Sequence, residues 1–187
     1  MADKRSQRQK KTREKQRKRR EAKQKERRQL NRASRGGLAD AVRWPVGDCY
    51  LSQHWHEQGA HVHAAFVRTH ASGRSAIALC EVDLATRGLI DCKVMVVDSE
   101  DHVRGLISER SEPYAMLDTA PELVVKAIVE GASHGRAAGF TPPRAYAKAQ
   151  PLFAGVDPAD SPHELLLGES PPEPEKKAGW FSRLLGG

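Results

Sequence analysis

The sequence lacks the features that mark membrane-spanning, secreted and disulfide-bonded proteins. No apolar run approaches the ~18 residues needed to cross a bilayer. Residues 1–35 contain no apolar segment of the kind found in secretory signals. The three cysteines are odd in number and lack CxxC spacing, which excludes a disulfide framework. Together these absences predict a cytoplasmic protein with reduced thiols.

The common catalytic signatures are absent as well. The sequence has no GxSxG, Walker A, GxGxxG or HExxH motif, which are typical of hydrolases, NTPases, dinucleotide enzymes and zinc proteases. The pattern of residues therefore predicts a kind of partner more directly than it predicts a reaction.

Charge is divided unevenly along the chain. The formal net charge of the 187 residues is +7. Residues 1–35, the basic arm, hold 17 Lys and Arg against 4 Asp and Glu, whereas residues 36–187 carry a net charge of −6. A cationic segment joined to a mildly acidic body predicts a polyanionic partner.

The composition of the basic arm favours contacts with phosphates. Leu30 is the only large apolar residue between positions 3 and 32, and the arm has no Phe, Tyr or Trp. Without aromatic side chains to stack on bases, binding would depend on the phosphate backbone. We therefore expect the arm to bind RNA or the ribosome; a solubilising tail or an anionic membrane contact are the alternatives. The candidate phosphate-binding residues are Lys10, Lys11, Arg13, Arg17, Lys18, Arg19, Arg20, Arg27 and Arg28.

Residues 36–167 are predicted to form one α+β domain. Alternating, β-branched segments predict an antiparallel β-meander of about four strands, and the segments that follow change to helical spacing. We expect two or three helices packed on one face of the sheet, the longest beginning at Pro121 with Thr119 as its N-cap. The predicted strands are residues 46–52, 60–70, 75–85 and 88–97, and the predicted helices are residues 100–111, 121–139 and 143–153, with a last turn at 163–167.

Residues 168–187 are predicted to be a Pro/Glu-rich linker followed by an apolar motif. Trp180, Phe181, Leu184 and Leu185 would share one face of two helical turns. We expect this face to dock on a protein partner; packing on its own domain or on a lipid surface are the alternatives.

The hairpin at residues 75–97 carries the strongest candidate for chemistry. A tight turn at Thr86-Arg87 would place Asp83 opposite Asp91 and Glu81 opposite Lys93, all on one sheet face. Opposed carboxylates repel unless a proton, a cationic side chain or a divalent metal lies between them. If the face is purely structural, Asp83→Asn should therefore leave the fold intact or slightly more stable.

This arrangement resembles the PD-(D/E)xK nuclease pattern, with Asp83 on one strand and Asp91-Cys92-Lys93 on the next. The resemblance implies acids that hold Mg²⁺ and a lysine that helps activate water. Val82 stands where that pattern has proline, and the later crossover strand is missing. A solvated polar face without a cofactor is the interpretation that we prefer.

Histidines cluster just before and within the second predicted strand. His61 and His63 would share one face of that strand, and His54 and His56 precede them. Two histidines without a fixed third ligand are too few for a zinc site, so a solvent-facing stripe is expected.

Several short motifs resemble an uncharacterised bacterial domain family over residues 45–155. They are Cys49, Trp55 and Gly59, then Val82-Asp83-Leu84 and Gly88, then Ala137-Ala138-Gly139-Phe140 and Pro142-Pro143. The resemblance implies an intact α+β body and a bacterial origin but no activity. The function predicted from the sequence is a non-enzymatic adaptor held on RNA or ribosomes by the basic arm. A Mg²⁺-dependent nuclease using Glu81, Asp83, Asp91 and Lys93 is the alternative.

Overall fold

The computed structural model describes residues 37–168. Residues 37–41 are helical, and five strands follow in one antiparallel sheet with the order β4-β3-β2-β1-β5. The consecutive pairing of β1 to β4 confirms the predicted meander. The strands are β1 (Tyr50–Ser52), β2 (His61–Thr69), β3 (Ser75–Asp83), β4 (Gly88–Val97) and β5 (Met116–Asp118).

Three helices pack around this sheet. They are α1 (Glu100–Ser108), α2 (Pro121–Ala137) and the short α3 (Tyr146–Ala149), which leads directly into a 3₁₀ turn at Gln150–Phe153. The predicted helix at residues 143–153 is thus a short α-helix continued as a 3₁₀ turn. The predicted turn at residues 163–167 is not helical.

The helices divide between the two faces of the sheet. Helix α2 covers the face formed by Val62, Ala64, Phe66 and Val82. Helix α1 lies on the opposite face, where Val103 and Ile107 join a separate apolar cluster. The sheet residues of that second cluster are Ala65, Val67, Ile77, Leu79, Val97 and Met116.

Small residues let α2 lie close against the sheet. A Cβ atom at Gly131 would collide with the Val82 side chain, and one at Gly135 would collide with the Arg87 backbone. The helix begins at Pro121, as predicted. Its N-cap is Ala120 and not Thr119, because the Thr119 hydroxyl donates to the Leu117 carbonyl (2.9 Å).

A buried arginine connects three distant segments. Arg68, on the α2-covered face, is only 5% exposed. Its Nε donates to the Leu152 carbonyl (2.6 Å), its Nη1 to the Trp44 carbonyl (2.6 Å) and its Nη2 to the Ala154 carbonyl. Burial lowers the pKa of Arg68 from its usual value. We call Arg68 and these three carbonyls the arginine clamp.

Candidate functional site

Three strands bring five polar side chains to one end of the sheet face that α1 covers elsewhere. His61 and His63 come from β2, Glu81 from β3, and Asp91 and Lys93 from β4. They share the face because alternate residues of a strand point the same way. We call these five residues the polar patch.

Adjacent members of the polar patch contact one another at the surface. His61 Nε2 donates to Glu81 Oε1 (2.8 Å), Glu81 lies directly opposite Asp91, and Lys93 Nζ is 3.4 Å from Asp91 Oδ2. The side chains of His61 and Lys93 are 53% and 55% exposed. Ion pairs this exposed contribute about 0–1 kcal/mol each. The patch is therefore a solvated polar network built on a rigid sheet.

The predicted register of the hairpin is wrong by two residues. Glu81 pairs with Asp91, Leu79 with Lys93, and Asp83 with Gly88. The predicted pairs Asp83–Asp91 and Glu81–Lys93 do not form, because Leu84 to Arg87 make a four-residue loop and a β-bulge follows Glu81. The common face survives since a shift of two residues preserves the alternation.

Asp83 closes that loop and does not join the polar patch. Its Oδ1 accepts from the N–H groups of Ala85 (2.8 Å) and Thr86 (3.2 Å). Its Oδ2 accepts from the Thr86 hydroxyl (2.9 Å) and the Arg87 N–H (3.1 Å). Partial burial alone would raise the pKa of Asp83, but these hydrogen bonds outweigh it and lower the pKa below 3.8. The four residues of the nuclease hypothesis thus do not converge on one site.

The histidines differ in environment. Burial lowers the pKa of His63, although neighbouring Glu81 opposes the shift. His54 is buried, donates from Nε2 to the His61 carbonyl (2.8 Å) and stacks on Tyr114. His61 alone of the three has a carboxylate partner in the described part of the chain. Within residues 37–168, no group of three or more His, Cys, Asp or Glu side chains is placed to hold a metal ion.

All three cysteines are buried thiols. Cys80 and Cys92 face each other across β3 and β4 with their sulfur atoms 3.5 Å apart. Burial raises the pKa of Cys49 to about 12. The side chains of Cys80 and Cys92 both lie on the face that α2 covers.

A surface cleft of about 350 Å³ lies between strands β1 and β5 and the start of α2. Trp55 and His163 form one wall with their ring centroids 5.2 Å apart, and Asp118 and Glu122 lie on another. Sequence patterns give no signal for this cleft, because Trp55 and His163 are far apart in the chain and no motif links them.

The residues predicted to contact partners lie outside the described residues. They are the basic-arm candidates Lys10, Lys11, Arg13, Arg17, Lys18, Arg19, Arg20, Arg27 and Arg28 and the C-terminal Trp180, Phe181, Leu184 and Leu185. Among the helices of residues 37–168, none has the length and hydropathy that a membrane crossing requires.

Comparisons with protein-family models, with curated proteins and with solved structures gave no match. The case for a function therefore rests on the residues of this chain.

Proposed function

We propose that the protein is a non-enzymatic adaptor that binds nucleic acid, with RNA or the ribosome as the expected target, through the basic arm. The observation that carries the proposal is the separation of charge, with net +13 in residues 1–35 and net −6 in the remainder. A phosphate backbone attracts the first segment and repels the second, so binding depends on the arm.

The charge of the body also favours nucleic-acid binding through the arm and not through the body. The polar patch presents Glu81 and Asp91 on an exposed face, and one cation, Lys93, lies beside Asp91. A face with two opposed carboxylates is a poor surface for phosphates. The proposal therefore assigns affinity to the arm and leaves the body as a surface for other contacts.

Removing the arm tests the proposal. We expect deletion of residues 1–35 to weaken binding of a labelled structured RNA by at least roughly tenfold, because the phosphate contacts are lost. Fluorescence anisotropy over a salt series would measure this, and the full chain should show a steep, sequence-independent salt dependence. The matched control is Arg144→Gln with Lys148→Gln, which removes two exposed cations of the body. Equal RNA affinity with and without the arm would refute the proposal.

The C-terminal motif is proposed to hold a protein partner. Trp180, Phe181, Leu184 and Leu185 follow a Pro/Glu-rich linker, which lets them reach a site away from the body. We expect removal of residues 178–187 to leave the melting temperature unchanged and to abolish at least one interaction seen with the full chain. A clear fall in melting temperature would instead show that the motif packs on its own domain, since each buried large side chain contributes about 1.5–3 kcal/mol.

A further inference from the structure

Strand β4 forms one edge of the sheet. Strand β4 (Gly88–Val97) is ten residues long and stands at the end of the strand order. Among residues 37–168, β3 is its only strand partner. A long edge strand presents N–H and C=O groups that can pair with another extended chain.

Two observations show which backbone groups of β4 point outward. The Cys92 N–H donates to Oδ1 of its neighbour Asp91 (2.9 Å). The sulfur atoms of Cys80 and Cys92 are 3.5 Å apart, which fits the close, non-hydrogen-bonded type of antiparallel pair. Cys92 therefore turns its backbone N–H and C=O away from β3, and Val94 does the same because alternate residues repeat the direction.

We propose that a second copy of this chain pairs with the outer edge of β4, antiparallel, around a two-fold axis at Cys92. In each copy the Cys92 N–H leaves Asp91 Oδ1, and the two Cys92 residues exchange backbone hydrogen bonds. Asp91 of each copy lies opposite Lys93 of the other, on the side of the β-bulge where β4 is regular. Such a self-complementary patch is what a two-fold interface requires.

The charges of β4 select a second copy over an unrelated strand. Any extended chain can bond to an exposed edge, but a partner must place a cation opposite Asp91 and an acid opposite Lys93 to satisfy both. A second β4 strand in antiparallel orientation meets both requirements, because its Lys93 lies opposite Asp91 and its Asp91 lies opposite Lys93. Asp91 also lies opposite Glu81 within one copy, and like charges at that position repel. Lys93 of the second copy would add a cation beside those two acids.

Charge reversal and rescue test the pairing. In full-length, nuclease-treated protein, Lys93→Asp would set two acids against each other at both symmetric positions, and Asp91→Lys would set two cations against each other. We expect each variant to weaken the dimer by roughly tenfold or more, measured by sedimentation equilibrium. Mixing the two variants should restore dimers, because every pair then joins an acid to a cation. The double variant Asp91→Lys with Lys93→Asp should dimerise by itself.

The control is Arg87→Asp, an exposed charge reversal in the hairpin loop outside β4, which should leave dimerisation unchanged. Circular dichroism of each single variant would check that it folds. The proposal fails if the wild-type chain stays monomeric at high micromolar concentration. It also fails if Lys93→Asp and Asp91→Lys each leave the dimer dissociation constant unchanged. Single variants that fold but do not recover association on mixing would also overturn it.

Discussion

Replacing Arg68 by methionine isolates the contribution of the arginine clamp. Methionine keeps a long apolar side chain but removes the donors to the carbonyls of Trp44, Leu152 and Ala154. A buried carbonyl left without a donor costs about 1–3 kcal/mol. The carbonyls of Trp44 and Leu152 are buried, whereas Ala154 is exposed and water can reach its carbonyl, so the combined cost is about 2–6 kcal/mol.

An opposing effect acts on the same substitution. The guanidinium is buried, and no ion pair with a carboxylate is found for it within residues 37–168. Removing it therefore relieves the free energy of burying a charge, and replacement of buried ionic groups by apolar ones is sometimes neutral. We expect the cost of the unbonded carbonyls to exceed the gain from removing the buried charge, because methionine offers the carbonyls no donor. The net loss should be about 3 kcal/mol.

Urea unfolding followed by circular dichroism would measure the effect, with a fall in melting temperature of roughly 10 °C as a second readout. Arg68→Lys should lie between wild type and methionine, since one ammonium group cannot reach three separated carbonyls in the same geometry. Arg87→Met, at an exposed position, is the control and should change stability by less than ~0.5 kcal/mol. If Arg68→Met unfolds within about 1 kcal/mol of wild type, the clamp does not stabilise the fold.

The remaining predictions concern the hairpin loop, the α2 contact and the thiols. Asp83→Asn should cost about 1 kcal/mol, reversing the expectation from sequence, because an amide cannot accept all the loop's donors. The lowered pKa of Asp83 means that its contribution is complete above pH 3.8 and is lost as the pH falls through the lower folded pKa, so urea midpoints of wild type and Asp83→Asn should converge in acid. Gly131→Ala should cost about 1–3 kcal/mol through a collision with Val82, whereas Gly105→Ala, with open space at its Cβ, should gain up to ~1 kcal/mol by chemical denaturation. Cys49, whose pKa is raised to about 12, should react with a thiol reagent at pH 8 only after unfolding; rapid labelling of the native protein would contradict its burial.

The alternation of apolar and polar residues predicted the sheet faces correctly but could not determine the register. Period-two patterns are unchanged by a shift of two residues, so the position of the turn decides which side chains meet. Here the turn is set by the side chain of Asp83, which accepts four hydrogen bonds from the loop. Strand β5 was missed because three residues are too few to show a period.

Two other features were not predicted from the sequence. Arg68 follows Val62, Ala64 and Phe66 on the face that α2 covers, but no pattern predicted its burial. Its acceptors are carbonyls of remote segments, and sequence patterns do not locate these. The sequence also did not predict that α1 packs on the face opposite α2. Strand β3 is apolar on both faces over most of its length, so a helix can pack on either face.

The arginine clamp also has a consequence for synthesis on the ribosome. Arg68 is translated 84 residues before Leu152, whose carbonyl accepts one of its hydrogen bonds. At about 5–20 residues per second, the guanidinium emerges roughly 4–17 s before that acceptor exists. During this interval β2, β3 and β4 are already available to pair, since they are consecutive in the chain. A sheet that forms in this interval keeps the Arg68 side chain hydrated at a position that the finished domain buries, and that end of the face can close only after Leu152 is made.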